Sequence, residues 1–170
     1  EERARAGKPK LPPLKIINVF LFNINDKKRL RRVIVNIIFN VWKRLIVVGG
    51  IVKKIDFNIL NIILRNLISN SIKFTHINGL IKIYIDKESN NKITLCVEDN
   101  GIGIEDKIKH SLFNYRILNK TKGTFGEVGS GIGLILVKDL IDGIGSKIWI
   151  ESNFGNGTKV YFDLYKGSKE

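Results

Sequence analysis

With 170 residues and 44% apolar side chains, the chain can build one domain with a real core, and disorder is excluded for most of its length. A single cysteine excludes an internal disulfide framework, and no apolar run approaches the roughly 20 residues of a membrane span. The net charge of +13 is lopsided: residues 1–56 hold 14 Lys/Arg against 4 Asp/Glu, so the basicity belongs to the N-terminal third and raises a nucleic-acid reading on charge alone.

Residues 1–14, with Gly7, Pro9, Pro12 and Pro13, read as an extended leader, and the charged start shows no signal peptide. The expected organisation is a basic, partly disordered leader over 1–25, one domain over 26–166 and a tail over 167–170. The chain has no methionine, even at position 1, and is expected to be a fragment, a processed product or an engineered chain. Leu30, Val33, Ile34, Ile37, Ile38 and Val41 recur at helical spacing and predict a helix over 26–44. Short strands are expected at Leu45–Val48 and Ile51–Ile55, around Gly49-Gly50.

Asp56 is an N-cap candidate for a second helix, about Asn58 to Phe74. Strands follow at Leu80–Ile85 and Lys92–Glu98, joined by the polar turn 87–91. Cys96 falls in the second of these and reads as a buried structural thiol. Residues 100–130 are polar, glycine-containing and weakly periodic, a long loop with one short helix. Long loops in compact domains are usually functional. Ile132–Ile144 reads as a helix, and Lys147–Ser152 with Thr158–Leu164 as a hairpin around Asn156-Gly157. This order predicts an α+β fold, a mixed sheet with helices on one face.

Three motifs carry chemistry. Asn66, Asn70 and Lys73 are spaced i, i+4, i+7 and share one face of the second helix, opposite Leu60, Leu64, Leu67, Ile68 and Ile72. Amide oxygens can ligate Mg²⁺, which brings substrate phosphates with it, and a lysine can reach a phosphate. A solvated face would explain the same spacing. Asp99-Asn-Gly101-Ile-Gly103-Ile104 follows a strand. Its glycines allow close backbone approach to a flat ligand, and an ionised Asp99 accepts from the exocyclic amine of adenine while rejecting guanine. A plain turn is the alternative. Gly129-Ser130-Gly131-Ile-Gly133-Leu134 leads into a helix, where glycines expose N–H groups to a phosphate. It follows a loop instead of a strand, which excludes a dinucleotide-binding βαβ unit.

In this order and spacing the three motifs resemble the asparagine box and two glycine boxes of histidine kinase ATPase domains, in the gyrase, chaperone, histidine kinase and mismatch-repair ATPase superfamily. The similarity runs from about Asn25 to Tyr165 and is closest over 56–164. Leu112-Phe113 resembles the lid's phenylalanine box, and Ile148–Ser152 with Gly155-Asn-Gly157-Thr158 the closing glycine-threonine segment. The resemblance implies a two-layer α/β sandwich of Bergerat type, with a mixed, mostly antiparallel sheet and a long ATP lid over 104–128. That lid is expected to be the most mobile part. The implied ligands are ATP and Mg²⁺. Asn70 would ligate the metal with Asn66 beside it. Lys73 would contact phosphate, and Phe74 would lie near adenine. Asp99 would bind the adenine amine over a floor shaped by Gly101, Gly103 and Ile104. Gly129, Gly131 and Gly133 would hold the phosphate side, Leu134 would pack near the base, and Thr158 would support Asp99. Lys120 and Lys122 would add phosphate contacts.

The departures are informative. Ser71 stands where alanine is usual, a change expected to be harmless. Tyr115 matches the second aromatic of the phenylalanine box poorly. Gly143 and Gly145 are expected to weaken the end of the last helix. Neither His76 nor His110 sits in an H-E-x-x-x-P context, so the phosphorylated histidine would belong to a separate phosphoacceptor and dimerisation domain. A response regulator receiver domain would be an indirect partner. Asn66 occupies the place where hydrolytic relatives carry a glutamate, and an amide cannot act as a general base at neutral pH. Intrinsic hydrolysis is expected to be slow or absent. The implied setting is cytoplasmic, the fragment a monomer. A weakly binding, non-catalytic or redesigned scaffold is the alternative. Nucleic-acid binding is disfavoured because aromatics are not interleaved with the basic residues.

Overall fold

A computed structural model of the protein describes residues 17–20, 27–49, 56–114, 123, 124, 126 and 131–166. Five strands form one sheet in the order β1-β2-β3-β5-β4. They are β1 (Ile17–Phe20), β2 (Leu80–Glu88), β3 (Lys92–Asp99), β4 (Ile148–Ser152) and β5 (Thr158–Tyr165). Every described pairing is antiparallel, in keeping with the mostly antiparallel sheet expected. β1 comes from the stretch read as leader and adds to the edge of β2, Ile17 opposite Ile83.

The helices are α1 (Lys27–Gly49), α2 (Phe57–Phe74), α3 (Asp106–Lys109) and α4 (Gly133–Gly143). α1 runs through Leu45–Val48 and corrects the strand expected there. Leu45 is buried and prolongs the stripe of Ile37, Ile38 and Val41, so packing on the core overrides a β-branched local preference. The strand expected at Ile51–Ile55 lies outside the described residues. α2 begins at Asp56, whose carboxylate accepts from the Asn58 N–H and caps the helix. It buries Leu60, Ile63, Leu64, Leu67, Ile68 and Ile72 against the sheet and its neighbours α1 and α4. Trp42 meets Phe57 edge-on at 5.4 Å, joining α1 to α2.

The end of α4 differs from expectation. The Ser146 N–H bonds the Ile141 carbonyl at 3.0 Å and the Gly145 N–H bonds the Asp142 carbonyl at 2.8 Å, with Gly145 at φ +71. This is a Schellman closure, in which glycine terminates the helix instead of weakening it.

Ile81, Ile83, Ile93, Leu95, Val97, Val160, Phe162 and Leu164 face the helices and form the core with them. The other face of the sheet is aromatic and polar, and its groups satisfy one another. Trp149 stacks on Tyr161 with centroids 5.2 Å apart. The Tyr84 hydroxyl donates to Glu98 at 2.9 Å, and the Thr94 hydroxyl and Lys92 ammonium both reach buried Asp163, at 2.7 and 3.0 Å. Cys96 lies under this layer, and burial pushes its thiol up to about 11, which suits an inert structural residue.

Candidate functional site

The C-terminal half of α2, the loop after β3 and the start of α4 enclose a cleft of about 370 Å³. Its polar wall comes from α2. Asn66, Asn70 and Lys73 all line it, because their spacing keeps them on the face that the aliphatic stripe leaves free. The Asn66 side-chain nitrogen donates to the Ile62 carbonyl at 2.8 Å, which turns its oxygen toward Gly133 at the start of α4. A Cβ on Gly133 would stand 3.0 Å from that oxygen, so glycine keeps this approach open. α4 begins at Gly133, and the helix presents the positive end of its dipole beside two amide-bearing residues.

At the far end, Asp99 closes β3 with only 8% of its surface exposed. Its carboxylate accepts from the Gly101 N–H at 3.0 Å. Burial pushes the carboxyl above its ordinary range, while the Gly101 N–H, the Ser71 hydroxyl and the Thr158 N–H pull it back down. Thr158 stands opposite Asp99 in the β3–β5 ladder. Its hydroxyl meets Ser152 Oγ at 3.1 Å, and Ser152 also accepts from the Ile104 N–H at 2.9 Å and donates to the Gly157 carbonyl at 2.7 Å. The glycine loop is therefore tied to the β4–β5 hairpin directly behind the aspartate.

Two glycines of that loop answer to backbone packing. A Cβ on Gly101 would stand 2.2 Å from the Phe74 carbonyl oxygen, and Gly101 sits behind the cleft surface instead of lining it. Gly103 has φ +68, and its Cβ would stand 2.1 Å from the Asn153 carbonyl oxygen. Phe74, Gly103, Ile104, Gly131, Leu134 and Thr158 all line the cleft with Asp99. Gly129, Lys120, Lys122 and Tyr115 lie outside the described residues. Leu112 of the expected phenylalanine box lines the cleft, whereas Phe113 does not.

Sequence reasoning missed several participants. Ser71 is buried in the cleft wall beside Asp99 and helps hold its carboxyl down, so the serine touches the residue that matters. Its position one residue after Asn70 was the available signal. Ser152 gave no signal beyond its place before the hairpin. Ile102, Ile108, Ile150 and Val160 complete an apolar wall and are indistinguishable in sequence from core residues. Among the described residues, no cluster of three or more His, Cys, Asp or Glu could hold a metal ion, so any cation here would rely on amide and ligand oxygens.

Comparison with known proteins places this geometry. The sensor histidine kinase WalK of Bacillus subtilis is 33% identical over 121 residues, covering 69% of this chain and 20% of WalK. Cyanobacterial phytochrome B of a Nostoc species is 38% identical over 104 residues, covering 60% of this chain and 14% of the phytochrome. The chain thus spans a fifth or less of the length of these two relatives. A nucleotide-free catalytic domain of histidine kinase ThkA superposes with a TM-score of 0.55 at 28% identity, covering 65% of this chain and 69% of that one. The family described as "Histidine kinase-, DNA gyrase B-, and HSP90-like ATPase" matches residues 55–167, which take in the α2 amides, the Asp99 loop and α4 together, and the chain belongs to that family.

Proposed function

We propose that the chain is the Mg-ATP-binding catalytic domain of a two-component sensor histidine kinase, passing the γ-phosphoryl group to a histidine on a separate phosphoacceptor domain. The observation that carries this reading is the pairing of a buried carboxylate at one end of the cleft with a helix N-terminus and two amide side chains at the other. The first end offers an acceptor to an adenine amine, while the second favours phosphate.

The residues present fit the ligands. Asp99 binds the amine with the carboxylate oxygen that Gly101 leaves unused. The apolar wall takes the ring faces, and Leu134 and Phe74 close it. Asn70 and Asn66 would supply amide oxygens to a Mg²⁺, which when bound would supply positive charge against the phosphates. Lys73 adds a positive charge on the same face. In the transfer, the bond from the γ-phosphorus to its bridging oxygen breaks with its electron pair going to ADP. A phosphorus–nitrogen bond forms to the acceptor imidazole, whose proton leaves to a base outside this chain. Asn66 offers no base for water, so the domain positions ATP and hydrolyses it slowly.

Among the described residues no helix is long and apolar enough to cross a membrane. A cytoplasmic setting, an acceptor and dimerisation domain as direct partner, a receiver domain as indirect partner and a monomeric fragment complete the proposal. Titrating the chain with ATP and GTP, with and without Mg²⁺, tests it. ATP binding that needs Mg²⁺ for full strength, weakens in Asn70→Ala and excludes GTP is expected. Equal binding of both nucleotides, or of neither, overturns the reading.

A further inference from the structure

The carbonyls at the end of α2 are taken by two different loops. The Phe74 carbonyl accepts from the Ile102 N–H at 3.0 Å, which hangs the Asp99 loop from the helix end. The carbonyls on either side go to Thr124. Its N–H donates to Lys73 O at 2.9 Å, and its hydroxyl lies 3.1 Å from Lys73 O and 3.2 Å from Thr75 O. One hydroxyl proton is thereby shared between two carbonyls. These are groups that a helix terminus leaves without intrahelical donors. Thr124 itself sits in a tight turn, closed by the Gly126 N–H on the Gly123 carbonyl at 3.0 Å with Gly126 at φ +79.

Lys73 is therefore fixed from behind through its own carbonyl, while its side chain lines the cleft and its ammonium lies 4.7 Å from the Phe74 ring centroid. The turn that fixes it lies in the long segment between α3 and α4, far from α2 in sequence. We propose that Thr124 is a positioning residue, clipping the Gly123–Gly126 turn onto α2 and so setting where the Lys73 ammonium stands along the cleft. The inference rests on the Mg-ATP reading of the cleft, because it assigns Lys73 a phosphate as its partner. Thr124 does not line the cleft, so it acts through Lys73 and the turn.

The test compares wild type, Thr124→Val and Thr124→Ser for binding of Mg-ATP and of adenosine, which has the base but no phosphate. Valine keeps the N–H bond and the shape but removes the hydroxyl, whereas serine keeps the hydroxyl. Thr124→Val is expected to weaken Mg-ATP about three- to tenfold, the worth of a hydroxyl hydrogen bond. Adenosine should stay within about twofold and Thr124→Ser should recover Mg-ATP binding. Amide exchange at residues 123–126 without nucleotide should quicken in the valine variant. Equal loss of both ligands, no loss of either, unchanged exchange or an unfolded valine variant overturns the proposal, since each outcome leaves a structural role or none. If wild type binds both Mg-ATP and adenosine but Thr124→Val shows no such split, this inference alone falls. Wild type that binds neither ligand sinks the nucleotide reading and this inference with it.

Discussion

The two ends of the cleft are built by opposite means. At the Asp99 end, backbone meets backbone. Gly101 lies against the Phe74 carbonyl, Gly103 against Asn153, and Gly157, at φ +80, would place a Cβ 2.1 Å from the Asp99 carbonyl oxygen. At the α4 end, Gly133 faces a side-chain oxygen at 3.0 Å, and the adjoining wall is made of amide and lysine side chains. The first end can hold only one shape, while the second can adjust. On the proposed function, a site that must recognise a rigid, uncharged ring and also release a flexible, highly charged chain gains from that division.

Glycine substitutions should separate the two ends most sharply. Gly101→Ala forces a carbon into a backbone oxygen and is expected to destabilise the fold by about 3 kcal/mol, read as a lower urea midpoint. Gly133→Ala, meeting only a side chain in the first turn of a helix, should leave that midpoint within about 1 kcal/mol while weakening ATP. A Gly133→Ala midpoint as low as that of Gly101→Ala would erase the distinction.

Next comes Asp99→Asn. Loss of a charge-assisted hydrogen bond is expected to weaken ATP about 10- to 100-fold, measured by calorimetry. The same change should raise apo stability at neutral pH, because the carboxylate is held ionised against its burial. The sign follows from the raised folded-state value. The folded protein binds the proton more tightly than the unfolded chain, so Asp99 favours folding most at low pH, and that contribution is lost as pH rises from the unfolded value to the folded one. ATP affinity should run the other way, falling as acid protonates the acceptor. Urea midpoints and ATP titrations across that range, in wild type beside Asp99→Asn, check both slopes. The smallest effect should come from the solvent-facing pair Lys138–Asp142 on α4, neither of which lines the cleft. Asp142→Asn is expected to cost at most about 0.5 kcal/mol and to leave ATP binding unchanged.

Much of this was legible in the chain, for identifiable reasons. Asn66, Asn70 and Lys73 could be placed on one face because helical spacing alone puts them there. Asn156-Gly157 marked the β4–β5 hairpin, although the strands are joined by a five-residue loop, 153–157, in which Gly155 and Gly157 take positive φ and Asn156 does not. The extension of α1 to Gly49 was hidden because Leu45 counts as helix only once its burial beside Val41 is known. β1 was hidden because an edge strand that pairs across more than fifty residues leaves no local mark. Ser71 was misjudged because its weight comes from Asp99, which is close in space and distant in sequence.

The pairing of Asp99 with Thr158 has a consequence for how such chains can change. That rung closes a loop that contains α3, α4, β4 and the whole segment from Asn114 to Gly131. Closure entropy grows only with the logarithm of loop length, so ten residues inserted after Asn114 would add roughly 0.1 kcal/mol to the cost of closing it. The sheet and its aspartate are thus nearly indifferent to the number of residues between Asn114 and Gly131. That segment can be lengthened, shortened or rewritten while the Asp99 end of the cleft keeps its shape.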